Sequence, residues 1–308
     1  MKHLFIINPA AGGKKTSASL VADRAVRTMS GISDEYELYT TKAPMDACSK
    51  IRTEALSRKE LRVYACGGDG TLNECVNGAA GSQNVAVAHY PCGTGNDFIK
   101  TFEADKDVFF DLGRLVRGFV RPVDVIDVNG RLSINICSVG IDARIGADVH
   151  KYSSLPLIGG STGYVVSLIV NFFKQINMPM TVKSGGETFD GEFALMCACN
   201  GRYYGGGFNP IPEAVPNDGI MDVLLVRKTS RLQVLSLIGK YASGRYKELG
   251  EMAIRLNTED LEIASHSQFV INVDGESIWS DRAHFRMIHN GVNMIFPLGA
   301  SYFDSQNL

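Results

Sequence analysis

Along the first third of the chain, short apolar runs alternate with stretches in which apolar residues recur every three or four positions. His3 to Asn8, Glu35 to Tyr39, Leu61 to Cys66 and Asn84 to Tyr90 read as strands. Thr16 to Met29, with Thr16 or Ser17 at its start, Met45 to Ser57 and a segment from Leu72 read as helices. This alternation predicts a parallel sheet covered on both faces, with ligands beyond the carboxyl ends of its strands. After Pro122 the pattern changes. Short strands dominate at Val123 to Val128, Leu132 to Val139, Met180 to Lys183, Glu192 to Cys199, Ile220 to Val226, Met252 to Leu256, Phe269 to Val273 and His284 to His289. Asn129-Gly130, Gly185-Gly186 and Asp274-Gly275 supply hairpin turns between them. Arg231 to Tyr241 and an apolar segment near residues 163 to 176 are the helical exceptions.

The expected fold is therefore α/β plus mainly β. An N-terminal α/β domain with a parallel sheet spans residues 1–125, and a C-terminal β-sandwich spans 126–289, with a tail of about 290–308 packing back on the first domain. A chain of 308 residues is long enough for two cores.

Composition narrows the functional classes. The chain is 45% hydrophobic and 21% charged, with a formal net charge of −2, so no overall basic field marks it for nucleic acid. The apolar stretch from Leu155 to Ile176 is interrupted by glycines, Asn171 and Lys174, and reads as a loop and a buried helix rather than a membrane span. Seven scattered cysteines have no zinc-site spacing and suit a reducing cytoplasm, and six histidines show no ligand spacing.

Chemistry concentrates in three glycine-rich loops, NPAAGGK after the first strand, GGDGT after the third and PCGTGND after the fourth. All three leave the carboxyl ends of strands and so share one rim of a parallel sheet. Glycines let backbone N–H groups turn toward an anion, and a following helix adds the positive end of its dipole. Asp69 is the unexpected member, because a carboxylate beside phosphates requires a cation between them; the loop therefore suggests a metal-nucleotide. Thr71-Leu72-Asn73-Glu74 has capping-box spacing, which assigns Glu74 chiefly to its helix. Neither the Walker spacing nor the dinucleotide fingerprint is met, since Asn8 and Phe98 stand where glycines belong.

Taken in order, NPAAGGK, GGDGTLNE, PCGTGNDF, GGGFNPIPEAVPNDG and NVDGE resemble the diacylglycerol kinase catalytic family of bacterial lipid kinases over residues 8 to about 276. The resemblance implies an ATP- and Mg²⁺-dependent enzyme that phosphorylates a lipid hydroxyl, most naturally that of diacylglycerol. It places nucleotide binding at Asn8, Gly12, Thr41, Gly67, Gly68, Asp69, Gly70, Thr71, Glu74 and Thr94. Glu276 falls on the catalytic base, and Asp69 and Asp124 on carboxylates of the magnesium network. A structural Mg²⁺ falls on Asp218 and the carbonyls of Val215 and Ile220, although the family's acidic pair is Asn217-Asp218 here. The nucleotide cleft would then have its second wall from the β domain. The resemblance also implies a cytoplasmic protein meeting its lipid peripherally at the membrane surface, with Lys14, Lys15, Arg114, Arg117 and Arg121 available for that contact, and it leaves a homodimer open. A kinase of NAD shares GGDGT and is the rival activity; a non-catalytic nucleotide- or lipid-binding protein is the other alternative. Read without the family, Asp124 fits the solvent face of a strand, Asp97 the start of a helix at Phe98, and Asn217-Asp218-Gly219 a plain turn.

Overall fold

The computed structural model describes residues 1–11, 16–153 and 176–304. Its chain divides into two compact units, Met1–Asp124 with His289–Leu308, and Val125–Ile288. The expected apolar helix near residues 163–176 lies outside the described residues except for Ile176, as do Gly12, Lys14 and Lys15.

In the first unit, β1 (Lys2–Ile7), α1 (Ala18–Met29), β2 (Glu35–Thr40), α2 (Asp46–Ala55), β3 (Leu61–Gly67), α3 (Asp69–Ala79) and β4 (Val85–Pro91) follow one another as strand and helix. β1 lies between β2 and β3 in parallel register, Leu4 facing both Glu37 and Val63, and β3 pairs in turn with β4. The central strands carry no alternation because both faces are covered: Leu4, Phe5 and Ile6 are fully buried, as are Val63, Tyr64 and Ala65. Helix α1 buries Val21, Ala25 and Met29, one position per turn, which is the stripe that docks it on the sheet. Two short helices follow, α4 (Asp97–Lys100) and α5 (Leu112–Val116), and β5 (Phe119–Val128) carries the chain out of the unit.

The chain returns in the last part of β13 (Glu276–Phe296), where Asn293 and Met294 pair in parallel with Ala86 and Val87 of β4. Phe296 then packs edge-on against Phe102 at 5.0 Å, and buried Asp105 accepts the backbone N–H groups of Ser301 and Tyr302 at 2.8 and 2.7 Å. The tail is thus held by charge-assisted hydrogen bonds as well as by aromatic burial.

The second unit is built from β6 (Arg131–Ser133), β7 (Ile136–Gly140), α6 (Ile141–Ser153), β8 (Met178–Ser184), β9 (Glu187–Cys199), β10 (Met221–Arg227), α7 (Arg231–Ala242), β11 (Ala253–Thr258), β12 (Asp260–Val273) and the first part of β13. Its strands pair antiparallel. Long strands serve two partners in succession: β9 pairs with β8 through one half and with β7 and β10 through the other, and β12 likewise meets β8 and then β7. A register break between Ala264 and Phe269 lies where β12 passes from β8 to β7 while staying paired with β13. Val139, Met180, Val182, Phe193, Met196, Leu261, Ile263 and Ile271 fill the space so enclosed.

All three dipeptide turns form two-residue loops with positive φ at both residues, 52° and 89° at Asn129-Gly130, 56° and 84° at Gly185-Gly186, and 50° and 96° at Asp274-Gly275. Their twist matches the strands they join. Three expected elements differ. Leu132 to Val139 is not one strand, because the N–H groups of Ile134, Asn135 and Ile136 turn to the Asp274 carboxylate. Phe269 to Val273 and His284 to His289 are short windows on much longer strands whose exposed halves carry too few apolar residues to show in the pattern.

Two enclosed ionisable groups give stability opposite pH dependences. Burial lowers His89, which is fully buried, to about 4. Between pH 6.5 and 4 the unfolded chain binds a proton that the folded chain does not, so this group withdraws up to about 3 kcal/mol as pH falls through that window. Asp142 is only partly buried as a residue, but its Oδ1 is enclosed, and desolvation raises the carboxyl to about 6. Its contribution is fully present below pH 3.8 and is lost as pH rises through 6. Melting temperature measured against pH should fall more steeply on acidification in the wild type than in His89→Gln. Asp142→Asn should exceed the wild type above pH 6 and converge with it near pH 4.

Candidate functional site

The second and third glycine loops, and Asn8 from the start of the first, are joined at the carboxyl ends of β1, β3 and β4. Asn8 donates its backbone N–H to Cys66 O at 3.1 Å and its side-chain Nδ2 to Thr71 Oγ1 at 2.9 Å. Thr41 N–H donates to Ile7 O at 3.0 Å, which brings that residue to the same rim. Cys92 N–H donates to Gly67 O at 2.8 Å, tying the third loop to the second.

The second and third loops touch through glycine backbone. A Cβ placed on Gly93 would lie 2.5 Å from Gly68 Cα, and one on Gly67 would lie 2.2 Å from Thr71 Oγ1. No side chain fits at either position. Asn96, at φ 49°, closes the third loop on itself: its Oδ1 accepts Gly93 N–H at 3.1 Å and its Nδ2 donates to Gly93 O at 2.7 Å. Asn tolerates this left-handed backbone better than most residues.

Asp69 lies where the loops meet. Its Oδ1 accepts the backbone N–H of Asp97 at 2.6 Å. A Cβ on Gly95 would be 2.6 Å from Asp69 Oδ2 and 3.6 Å from Asp97 Oδ2, so both carboxylates face the space that the absent side chain leaves. The other oxygen of Asp97 pairs with Lys100 Nζ at 2.6 Å. Hard carboxylate oxygens around an open cradle are suitable donors for Mg²⁺. Among the described residues, no group of three or more His, Cys, Asp or Glu could hold a metal. A protein contribution of one or two carboxylates suits Mg²⁺ when phosphate oxygens and water supply the remaining ligands.

Helix α3 starts at Asp69 with Gly68 as its N-cap, three residues earlier than Leu72. Its first backbone bond is Leu72 N–H to Gly68 O at 3.1 Å, leaving the preceding amides without an intrahelical acceptor. This corrects the capping-box reading. Thr71 lies inside the first turn and accepts from Asn8, while Glu74 accepts the N–H of Ala47, at the start of α2, at 3.3 Å. Glu74 secures one helix to another, because the early start of α3 carries its side chain a turn beyond the N-cap. Gly70 and Thr94 are exposed on their loops.

The other predicted residues occupy different surroundings. Asp124 is fully buried, contrary to a place on the solvent face of a strand, and accepts Asn290 N–H at 2.7 Å with His289 Nδ1 at 2.9 Å. Sequence reading had set His289 aside, since a single histidine far along the chain gives no spacing signal. Glu276 is exposed at the first residue of β13. Asp218 Oδ1 accepts Ile220 N–H at 2.9 Å within its turn, and neighbouring Asn217 has a buried Oδ1 without a hydrogen-bond partner. An acceptor in that condition is compatible with a nearby cation. The cysteines are poor nucleophile candidates: all seven are buried, and burial pushes the Cys66 and Cys75 thiols upward and that of Cys92 to about 11.

Comparison with known proteins adds to this geometry. Residues 2–128 match the diacylglycerol kinase catalytic domain, and residues 135–295 match the YegS C-terminal NAD kinase beta sandwich-like domain. The chain is 26% identical over 249 residues to a Shewanella frigidimarina protein named "Probable lipid kinase YegS-like", covering 80% of this chain and 79% of that one. It is 25% identical over 270 residues to a Bacillus subtilis protein named diacylglycerol kinase, covering 84% and 86%. In fold it matches the crystal structure of a diacylglycerol kinase from Bacillus anthracis with a TM-score of 0.72, covering 97% of this chain and 98% of that chain at 22% identity.

The cradle over Gly95 separates stability from ligand binding. Gly95→Ala meets only the movable end of Asp69, so it should cost about 1 kcal/mol of stability or less, yet weaken Mg-ATP binding by calorimetry at least about tenfold. Gly93→Ala meets backbone and should cost about 1–3 kcal/mol in a thermal melt.

Proposed function

Because this chain belongs to the lipid kinase family that joins a diacylglycerol kinase catalytic domain to a YegS-type β domain, we propose that it transfers the γ-phosphoryl group of ATP to the hydroxyl of diacylglycerol, yielding phosphatidic acid. The observation that carries the nucleotide half of this reading is the hydrogen-bonded meeting of the second and third glycine loops at Asp69, with Asn8 bound to Thr71 beside them. The lipid half is supported by the relatives, one of which bears the name diacylglycerol kinase.

The transition state of phosphoryl transfer is loose, with negative charge spread over the transferred group's oxygens, so positioning and charge neutralisation are the main tasks. The amides at the start of α3 and the positive end of its dipole bind the phosphates. Asn8 orients the Thr71 hydroxyl toward the same loop. Asp69, held by the Asp97 amide, is the carboxylate that binds Mg²⁺. Bound there, the metal would supply positive charge that neutralises the phosphates. Glu276 accepts the proton of the lipid hydroxyl, and a carboxylate in this role works chiefly by orientation. Asp124 would support the magnesium network, and Asp218 with the Val215 and Ile220 carbonyls would hold a second, structural Mg²⁺.

Among the described residues no helix is long and apolar enough to cross a membrane. The protein meets its lipid peripherally, at the membrane surface of the cytoplasm.

The test is an ATP phosphate-transfer assay run side by side on diacylglycerol, other lipid alcohols and NAD. Transfer to diacylglycerol is expected, and transfer to NAD but to no lipid would overturn the proposal. Asp69→Asn and Glu276→Gln should each lower kcat on lipid by about 10²-fold or more, the scale of a general base or of a lost charge-stabilising contact. Wild-type rates in either variant would remove that residue from its role.

A further inference from the structure

One buried carboxylate in the second unit is unused by this chemistry. Asp274 stands two residues before Glu276, at the first position of the turn between β12 and β13, and is 8% exposed. Its Oδ1 accepts from Ser133 Oγ at 2.7 Å, Asn135 N–H at 3.0 Å and Ile136 N–H at 3.1 Å, and its Oδ2 accepts from Ile134 N–H at 2.7 Å. Asp274 also gives its own N–H to Ile136 O at 3.3 Å. On the other side of the turn, Asn272 Oδ1 accepts Gly275 N–H at 2.9 Å.

None of this is needed to make the turn. Positive φ at both central residues requires only Asn, Asp or Gly there, and the equivalent turn at Gly185-Gly186 forms with no carboxylate at either central position. Burying a charge is costly unless several donors compensate it. Here the donors include three consecutive amides that would otherwise continue the β6–β7 strand, so the chain gives up ladder hydrogen bonds to hold this group. The hydrogen-bonded turn ends at the Val273–Glu276 pair, the first of the β12–β13 ladder. Rotation or slippage of the hairpin tip would redirect Glu276, and Asp274 blocks both motions.

We infer that Asp274 is a positioning residue whose carboxylate, bound in the 133–136 nest, fixes the direction in which Glu276 presents its own. The inference rests on the reading of Glu276 as proton acceptor. It predicts that Asp274 acts only through Glu276, whereas a merely structural carboxylate would lower activity whichever residue stood at position 276.

The experiment is a double-mutant cycle on the full chain, with ATP and diacylglycerol as substrates and a thermal melt on every variant. Asp274→Asn replaces one acceptor oxygen with a donor facing amides. It should reduce kcat about tenfold or more, since displacements near 1 Å are costly in rate, with KM for ATP within about twofold. In the Glu276→Gln background the same substitution should reduce kcat less than twofold. If Asp274→Asn is equally costly in both backgrounds, or harmless in the wild type, the inference is overturned while the role of Glu276 stands. If Glu276→Gln alone retains the wild-type rate, the underlying reading fails. Should Asp274→Asn not fold, Ser133→Ala carries the same cycle with a smaller expected loss of about twofold to fivefold, because the three amides remain; no loss, or the same loss in both backgrounds, would again overturn the inference.

Discussion

Backbone meets backbone where Gly68 and Gly93 come together, and the loop cluster at the carboxyl ends of β3 and β4 depends on that approach. Loops after β3 and β4 can share one ligand only if nothing projects between them. Their contact places the Asp97 amide against Asp69 and leaves the uncovered space at Gly95 beside two carboxylates. Parallel pairing of β3 with β4 aligns the strand ends, the residue after each end is small, and a helix begins at once on one of them. The result is a cluster assembled mainly from backbone, of the kind that suits an anion. Its side chains hold that backbone in place: Asn8 reaches Thr71, Asn96 closes its own loop, and Lys100 neutralises Asp97. A ligand bound there would meet groups already ordered, which lowers the entropy cost of binding.

Much of this was legible in the amino-acid pattern because it follows local rules. Alternating strand and helix signals located β1 through β4 within a few residues, and three dipeptides gave three hairpin turns. The features that escaped depend on distant partners. Thr71 to Glu74 has the spacing of a cap, but Asn8 takes the hydroxyl and Ala47 the carboxylate, so tertiary bonds override a local motif. Leu132 to Val139 is apolar enough for one strand, and only a carboxylate about 140 residues away divides it. Asp124 looks like half of an exposed alternation until His289 and Asn290 are seen to enclose it. That the loops after β3 and β4 share a rim could be inferred from topology; the Gly68–Gly93 contact could not, since glycines announce permitted geometry and not its use.

Both units assign buried carboxylates to backbone amides. Asp105 holds Ser301 and Tyr302, Asp124 holds Asn290, and Asp274 holds three residues after Ser133. Each bond from an amide to a charged group contributes about 1.5–3 kcal/mol. Such anchors are directional, which apolar packing is not, and each here fixes a segment at a strand end or a chain crossing.

The capture of Ser301 and Tyr302 by Asp105 also sets when the first unit can finish folding during synthesis. Residues from His289 onward belong to the first compact unit, yet they leave the ribosome only after all of Val125–Ile288 has emerged. The nucleotide unit, started first, must therefore wait through the synthesis of the whole β unit with Asp105 and the edge of β4 uncovered. During translation the later unit can complete its fold before the earlier one, and a ribosome stalled before His289 would leave the first unit unfinished.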